Sequence, residues 1–251
     1  MPFTLAHPAA VWPLKFLRTG MTIPLVIGSL SPDLASYIPD LHGLVSSHSL
    51  RGSLILDLPL GYGLFIFLIA LRASLVAPLW EPHRTFVLDQ FNQCIATKRW
   101  WLTAIPALII GSWTHLLWDS FTHENHFMVR NLPVLQQVIT LDGDYQLHLY
   151  RFLQYGCSLA GIIFIIWWYR HSLRVTQSGQ PGQGAGSIRK ILLLAMVAIA
   201  LGSGLVNALL MLPDIRSVYW FMSVALTTAM PLFASLYLAA GFLWLGLEKR
   251  V

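Results

Sequence analysis

The chain has 251 residues, of which 56% are hydrophobic and only 11% charged, with a mean hydropathy of +0.63. Soluble domains carry roughly 25% charged residues, so this composition excludes an ordinary water-soluble fold and places the chain in lipid. The formal charge of +5 does not point to nucleic acid, because the lysines and arginines lie beside apolar runs, and Cys94 and Cys157 are too far apart in sequence to suggest a disulfide framework or thiolate metal site.

From the N-terminus, PAAVWPLKFLRTG predicts a short helix from Pro8, with proline at an allowed early position and Gly20 as its stop. MTIPLVIGSLSPDL follows, then a turn-rich stretch to Ser47. Each apolar run is about 11–12 residues, short of the roughly 20 that cross a bilayer. Two arrangements fit: a pair that dips in and returns, with Lys15 and Arg18 inward and His7 and Asp33 outward, or a segment lying flat on one surface.

Spans are predicted over Leu54–Leu71, interrupted by Asp57, Pro59, Gly61 and Gly63, then Trp100–Trp118, then Phe152–Tyr169. Ile191–Leu247 holds two more, separated by LPDIRS at 212–217, and the last carries Pro231, which predicts a tilt or kink. The expected fold is therefore all-α, a polytopic membrane bundle of about five to six embedded helices. Its expected organisation is a helical module over 1–170, a flexible cytoplasmic linker over 171–189 containing SGQPGQGAGS, and a two-span hairpin over 190–251.

Basic residues collect on the cytoplasmic side of a membrane. Arg170, Arg174, Arg189 and Lys190 flank the linker, Lys249 and Arg250 end the chain, and Arg72, Lys98 and Arg99 fall on the same side. This predicts a cytoplasmic C-terminus. It also sends His48, Arg51 and the 119–151 loop to one external face.

Ionisable residues beside a span carry the functional signal, because their burial is costly. In GSWTHLLWDSFTH, His115 and Asp119 are four apart and share one helix face, as a helical ligand pair for zinc must. Three protein ligands would leave room for an activated water. The plainer reading has His115 bonding a neighbouring helix and Asp119 capping the loop. His123 lies another four residues on, while Thr114 and Ser120 offer supporting hydrogen bonds. Asp33 in GSLSPDL is either a ligand or the first-turn acid of a helix start. His7 is either a ligand or the polar residue before Pro8. His48 sits at the outer mouth with Arg51 nearby, a guanidinium suited to phosphate, to Asp57 or to lipid headgroups. Asp57 is open to three roles: ligand, acceptor for a ligand histidine, or partner of Arg51. Trp113, Trp118, Phe121 and Phe127 could line an acyl entry or form an interfacial aromatic belt.

MPFTLAHPAAVWPL, GSLSPDL, HSLRGS and GSWTHLLWDSFTH together resemble an uncharacterised family of bacterial integral membrane proteins that opens with an MPF-x-x-x-HPA pattern. That family is distantly similar to membrane-bound metal-dependent hydrolases and to the zinc-dependent phospholipase C group. The resemblance implies a bacterial inner-membrane protein with metal ligands at His7, Asp33, His48, His115 and Asp119, and His123 as a further ligand or catalytic residue. The later histidine-carboxylate pair of that group has no counterpart, since His148 is followed four residues on by Phe152 and His126 by Arg130. One or two zinc ions are therefore expected.

The expected activity is hydrolysis of a phosphate ester or pyrophosphate in a lipid or lipid-linked substrate, with Arg51, Asp57 and His123 as candidate catalytic residues. The rivals are an accessory membrane protein with a degraded site, and an ion- or proton-coupled transporter. The absence of a Ser-His-Asp spacing or a glycine-rich phosphate loop argues against other enzyme classes.

Overall fold

The computed structural model describes residues 4–17, 20–36, 46–96, 98–140, 146–177, 186–211 and 218–248. The fold is all-α apart from one small hairpin, and five helical stretches are long and apolar enough to cross a membrane: Leu50–Val76, Trp100–Asn131, Leu149–Thr176, Ser187–Leu210 and Phe221–Leu247. Contacts group residues 1–69 with 89–172 in one compact unit, and 70–88 with 173–251 in a second.

The first unit opens with a 3-10 turn, Thr4–Ala6, then α1 (Pro8–Val11) and a second 3-10 stretch, Trp12–Leu17. Next comes α2 (Thr22–Ser36), whose 15 residues rise about 22 Å, short of the roughly 30 Å hydrocarbon core. Pro32 lies inside α2 instead of starting a helix, so Asp33 belongs to its last turns and not to a first turn. Pro32 has no N–H for the Gly28 carbonyl, and the Ser31 hydroxyl takes that carbonyl at 2.8 Å.

After Ser49, which caps it, α3 (Leu50–Gly52) runs through a π-helical turn, Ser53–Asp57, into α4 (Leu58–Val76). Asp57 and Pro59 therefore do not interrupt the span; the widened turn absorbs them, with Leu58 N–H reaching the Ser53 carbonyl. The span is accordingly longer than Leu54–Leu71. Beyond α5 (His83–Ile95), α6 (Trp100–Thr122) also outruns its predicted end at Trp118, keeping Asp119 helical. The region up to residue 151 then forms α7 (Phe127–Asn131), a 3-10 turn and the antiparallel strands β1 (Val138–Thr140) and β2 (Gln146–His148). The next span, α8, covers Leu149–Gln177.

The close crossing of α2 and α6 forms the frame of the first unit. A Cβ on Gly28 would stand 2.2 Å from the Leu108 carbonyl oxygen, and one on Gly111 2.3 Å from that of Leu25. The two backbones are in van der Waals contact only because both positions lack a side chain. Val11, Leu25 and Ala107 fill the core beside this crossing.

The second unit contains α9 (Gly186–Leu210) and α10 (Val218–Glu248), together with residues 70–88. Gly204 packs on the Ala225 carbonyl, and Asn207 donates to Thr228 at 2.8 Å. Residues 70–88 join this unit through their carbonyls: Tyr237 donates to Leu75 at 2.6 Å and Arg189 to Leu79 at 3.1 Å. Of the linker expected over 171–189, residues 171–177 complete α8, 186–189 open α9, and 178–185 lie outside the described residues.

Candidate metal centre

Four segments of the first unit bring their polar residues to one point. His7 precedes α1, Asp33 comes from α2, His48 from the turn before α3, and His115 and Asp119 from one face of α6. All but His48 are buried; Asp33 and Asp119 are each 1% exposed and His115 is 0% exposed.

The separations are short and regular. His48 Nε2 lies 3.3 Å from Asp33 Oδ1 and 3.5 Å from Asp119 Oδ2, and His115 Nε2 lies 3.5 and 3.2 Å from the same two oxygens. Four donors 2.0–2.1 Å from one tetrahedral zinc stand about 3.3–3.4 Å apart, so four of the six edges of a coordination tetrahedron are already at length. His7 stacks on the His115 ring at 3.8 Å and reaches Asp119 Oδ1 at 3.6 Å. Two overlapping triads, His7–Asp33–His115 and His48–His115–Asp119, each bring their ligand atoms within 4.8 Å of one another.

Hydrogen bonding sets which atoms face inward. His115 Nδ1 lies 2.8 Å from the Ser29 carbonyl, which only accepts, so that nitrogen carries the proton and Nε2 presents a lone pair. His115 Nε2, Asp119 Oδ1, Asp33 Oδ2 and His7 Nδ1 are buried without a hydrogen-bond partner. Orphaned buried atoms of this kind are rare in folded proteins. Among the described residues Asp33 and Asp119 pair only with histidines, and no lysine or arginine forms an ion pair with either. Two buried carboxylates require positive charge, and a divalent cation fits both the charge and the N/O donor set.

Burial and close packing shift the acidities of two of these groups. Burial, then the neighbouring His115, pulls His7 down to about 4, so it is neutral and available at physiological pH. Burial works to raise Asp33, but the hydrogen bond from His48, the charge of His115 and the Thr4 hydroxyl hold it below the ordinary aspartate value.

The three other candidates are placed differently. His123 Nδ1 is 3.2 Å from Asp119 Oδ1, and the Gln154 amide donates to His123 Nε2 at 2.8 Å, which leaves Nδ1 as the protonated nitrogen turned to Asp119. Asp57 is buried, and its Oδ2 accepts from Ser112 at 3.0 Å, one turn before His115 on α6, instead of bonding a member of the cluster. Arg51 is exposed and forms no ion pair among the described residues. The cluster also includes residues that sequence spacing did not single out. The Ser29 carbonyl and Gln154 orient ligands, Trp118 packs edge-on to His7 at 5.6 Å, and the His126 ring lies 6.1 Å from His48 and 5.4 Å from His123. Trp118 was legible only as part of an interfacial aromatic set, and Gln154 only as a polar residue near the start of an apolar run.

No curated protein and no solved structure matches this chain. The family described as domain of unknown function (DUF4184) matches residues 1–241, nearly its full length, and the chain belongs to that family.

Proposed function

We propose that the chain is a membrane-bound, metal-dependent hydrolase that acts on a phosphate ester or pyrophosphate of a lipid or lipid-linked substrate. The observation that carries the reading is the set of four N···O separations of 3.2–3.5 Å joining His48 and His115 to Asp33 and Asp119. The distant resemblance to zinc-dependent phospholipases gives the same ligands in the same order. When bound, a divalent cation supplies Lewis-acid polarisation of a phosphoryl oxygen and acidification of water.

The protein's own residues provide the rest. Ser29 holds His115 in the ligand tautomer, and His123, with its protonated Nδ1 turned to Asp119 Oδ1, holds that carboxylate in place while His7 approaches the same oxygen. Arg51, exposed one turn beyond His48, is positioned to attract a phosphate and stabilise charge developing on it. Asp57 braces α6 through Ser112 from beneath. The basic-residue pattern supports a site near the external face of a bacterial inner membrane, with the C-terminus in the cytoplasm.

The test is metal analysis of protein purified in mild detergent, followed by a screen of phospholipids and polyprenyl phosphates with zinc, manganese or magnesium. Asp119→Ala should lose metal and turnover together, whereas Arg51→Ala should keep metal and lose turnover. Folded, metal-loaded protein that turns over none of these substrates would favour the accessory reading.

A further inference from the structure

Beside the metal centre, the first unit contains a trough of about 370 Å³ between the N-terminal turns, α2 and α8. Its walls are apolar apart from Thr22. It is more than twice the roughly 150 Å³ of an engineered apolar cavity that stays dry and binds benzene. Walls so nearly free of polar atoms favour an apolar occupant over water.

The trough is elongated. On α2 its lining is Thr22, Leu25, Val26 and Leu30, one stripe of the helix about 12 Å long at 1.5 Å per residue. The end at Leu30 is one turn short of Asp33, and Leu5 and Pro8 bracket His7 in sequence. Helix α8 gives the same direction independently. Gly161 packs on Ala6, the neighbour of His7, and the lining residues Phe164, Ile165 and Trp168 follow at increasing distance along the helix. Trp12 closes the far end against Trp168 at 4.4 Å and Phe164 at 5.7 Å. An apolar trough whose lining on α2 and at the N-terminal turns leads toward Asp33 and His7, with an aromatic wall at its other end, matches an amphiphile with one chain and a charged head.

We infer that this trough is the tail site of the substrate: a single acyl or prenyl chain lies along α2 and α8, with its phosphate at the metal centre. This deepens the hydrolase reading and rests on it. It also moves the chain away from Trp113 and Phe127, which are exposed and do not line the trough.

The experiment uses full-length protein in detergent, with zinc supplied and metal content measured in parallel. The probe is a single-chain alkyl phosphate carrying a diazirine near its chain terminus, compared with the uncharged alkyl alcohol. Photolysis should place phosphate-probe adducts on Val26, Phe164 and Ile165, with fewer from the alcohol. Val26→Trp and Ile165→Trp fill the trough from opposite walls, and each should lose these adducts while retaining metal. Adducts spread over the exposed α8 residues Leu159, Ile163 and Ile166, and unchanged in both variants, would overturn the inference. Equal labelling by the alcohol would also overturn it, because the head would then play no part. Protein that binds no metal overturns the hydrolase reading on its own, and adduct positions still decide whether the trough holds a chain.

Discussion

Gly28→Ala and Gly111→Ala should disrupt the candidate metal centre without changing any of its five His and Asp residues. The added methyl would start 2.2 Å from the Leu108 carbonyl oxygen in the first variant and 2.3 Å from the Leu25 carbonyl oxygen in the second. Carbon and carbonyl oxygen rest at about 3.3 Å or more, so α2 and α6 must separate by roughly 1 Å. Asp33 rides on α2 and His115 and Asp119 on α6, and the Asp33–His115 separation is 3.5 Å. Coordination tolerates only about 0.2 Å, so the shift exceeds the allowance several-fold and also pulls the Ser29 carbonyl from His115. Loss of such orienting contacts typically costs 10–100-fold in metal affinity, and at least that is expected here. The assay is metal per protein after dialysis against graded free zinc, with helicity and gel-filtration behaviour as folding controls. Gly63→Ala is the matched control: nothing lies within 4 Å of its added methyl, and alanine in a helix interior is otherwise favourable. Wild-type metal affinity in a folded Gly28→Ala protein would refute the reasoning.

Three other outcomes are expected. Ser112→Ala removes the hydroxyl that satisfies buried Asp57, and should lower stability by about 1–3 kcal/mol in thermal unfolding while leaving metal content unchanged. Chelation should lower the unfolding temperature, and zinc at about 100 times its Kd should restore roughly 2.7 kcal/mol; no response to either would argue against a resident cation. Asn131→Cys should react with an impermeant reagent from outside and Ser178→Cys only from the cytoplasm, and the reverse pattern would invert the orientation.

Composition placed the chain in lipid, because a chain with 11% charge cannot cover its surface in water, and apolar runs near the length of a bilayer span made it all-α. The pairing of His115 with Asp119 was also legible, since four-residue spacing on a helix fixes a shared face. Helix ends were not. Asp57 and Pro59 read as interruptions, yet a π turn absorbs them, and the span that seemed to end at Trp118 continues to Thr122. The helix-start alternative for Asp33 fails for a related reason: SPD resembles a helix start, whereas a serine hydroxyl replaces the bond that Pro32 cannot make and the helix continues. The contact that orients His115 was out of reach, because it comes from a backbone carbonyl that any residue at position 29 would provide.

The ligands are spread along the chain, and this has a consequence for biosynthesis. His7, Asp33 and His48 emerge from the ribosome well before His115 and Asp119, which lie on α6. Through that interval Asp33 can reach His48 but lacks His115 and the neighbouring Asp119, both of which lie on α6. Until α6 inserts, its carboxylate has to stay in contact with water or headgroups, because a charge so incompletely enclosed does not enter hydrocarbon. Arrival of α6 against Gly28 is therefore the step that draws α2 into place, and ion capture can only follow it. A nascent chain stalled before residue 115 should remain open to water at Asp33, and one released beyond residue 123 should not.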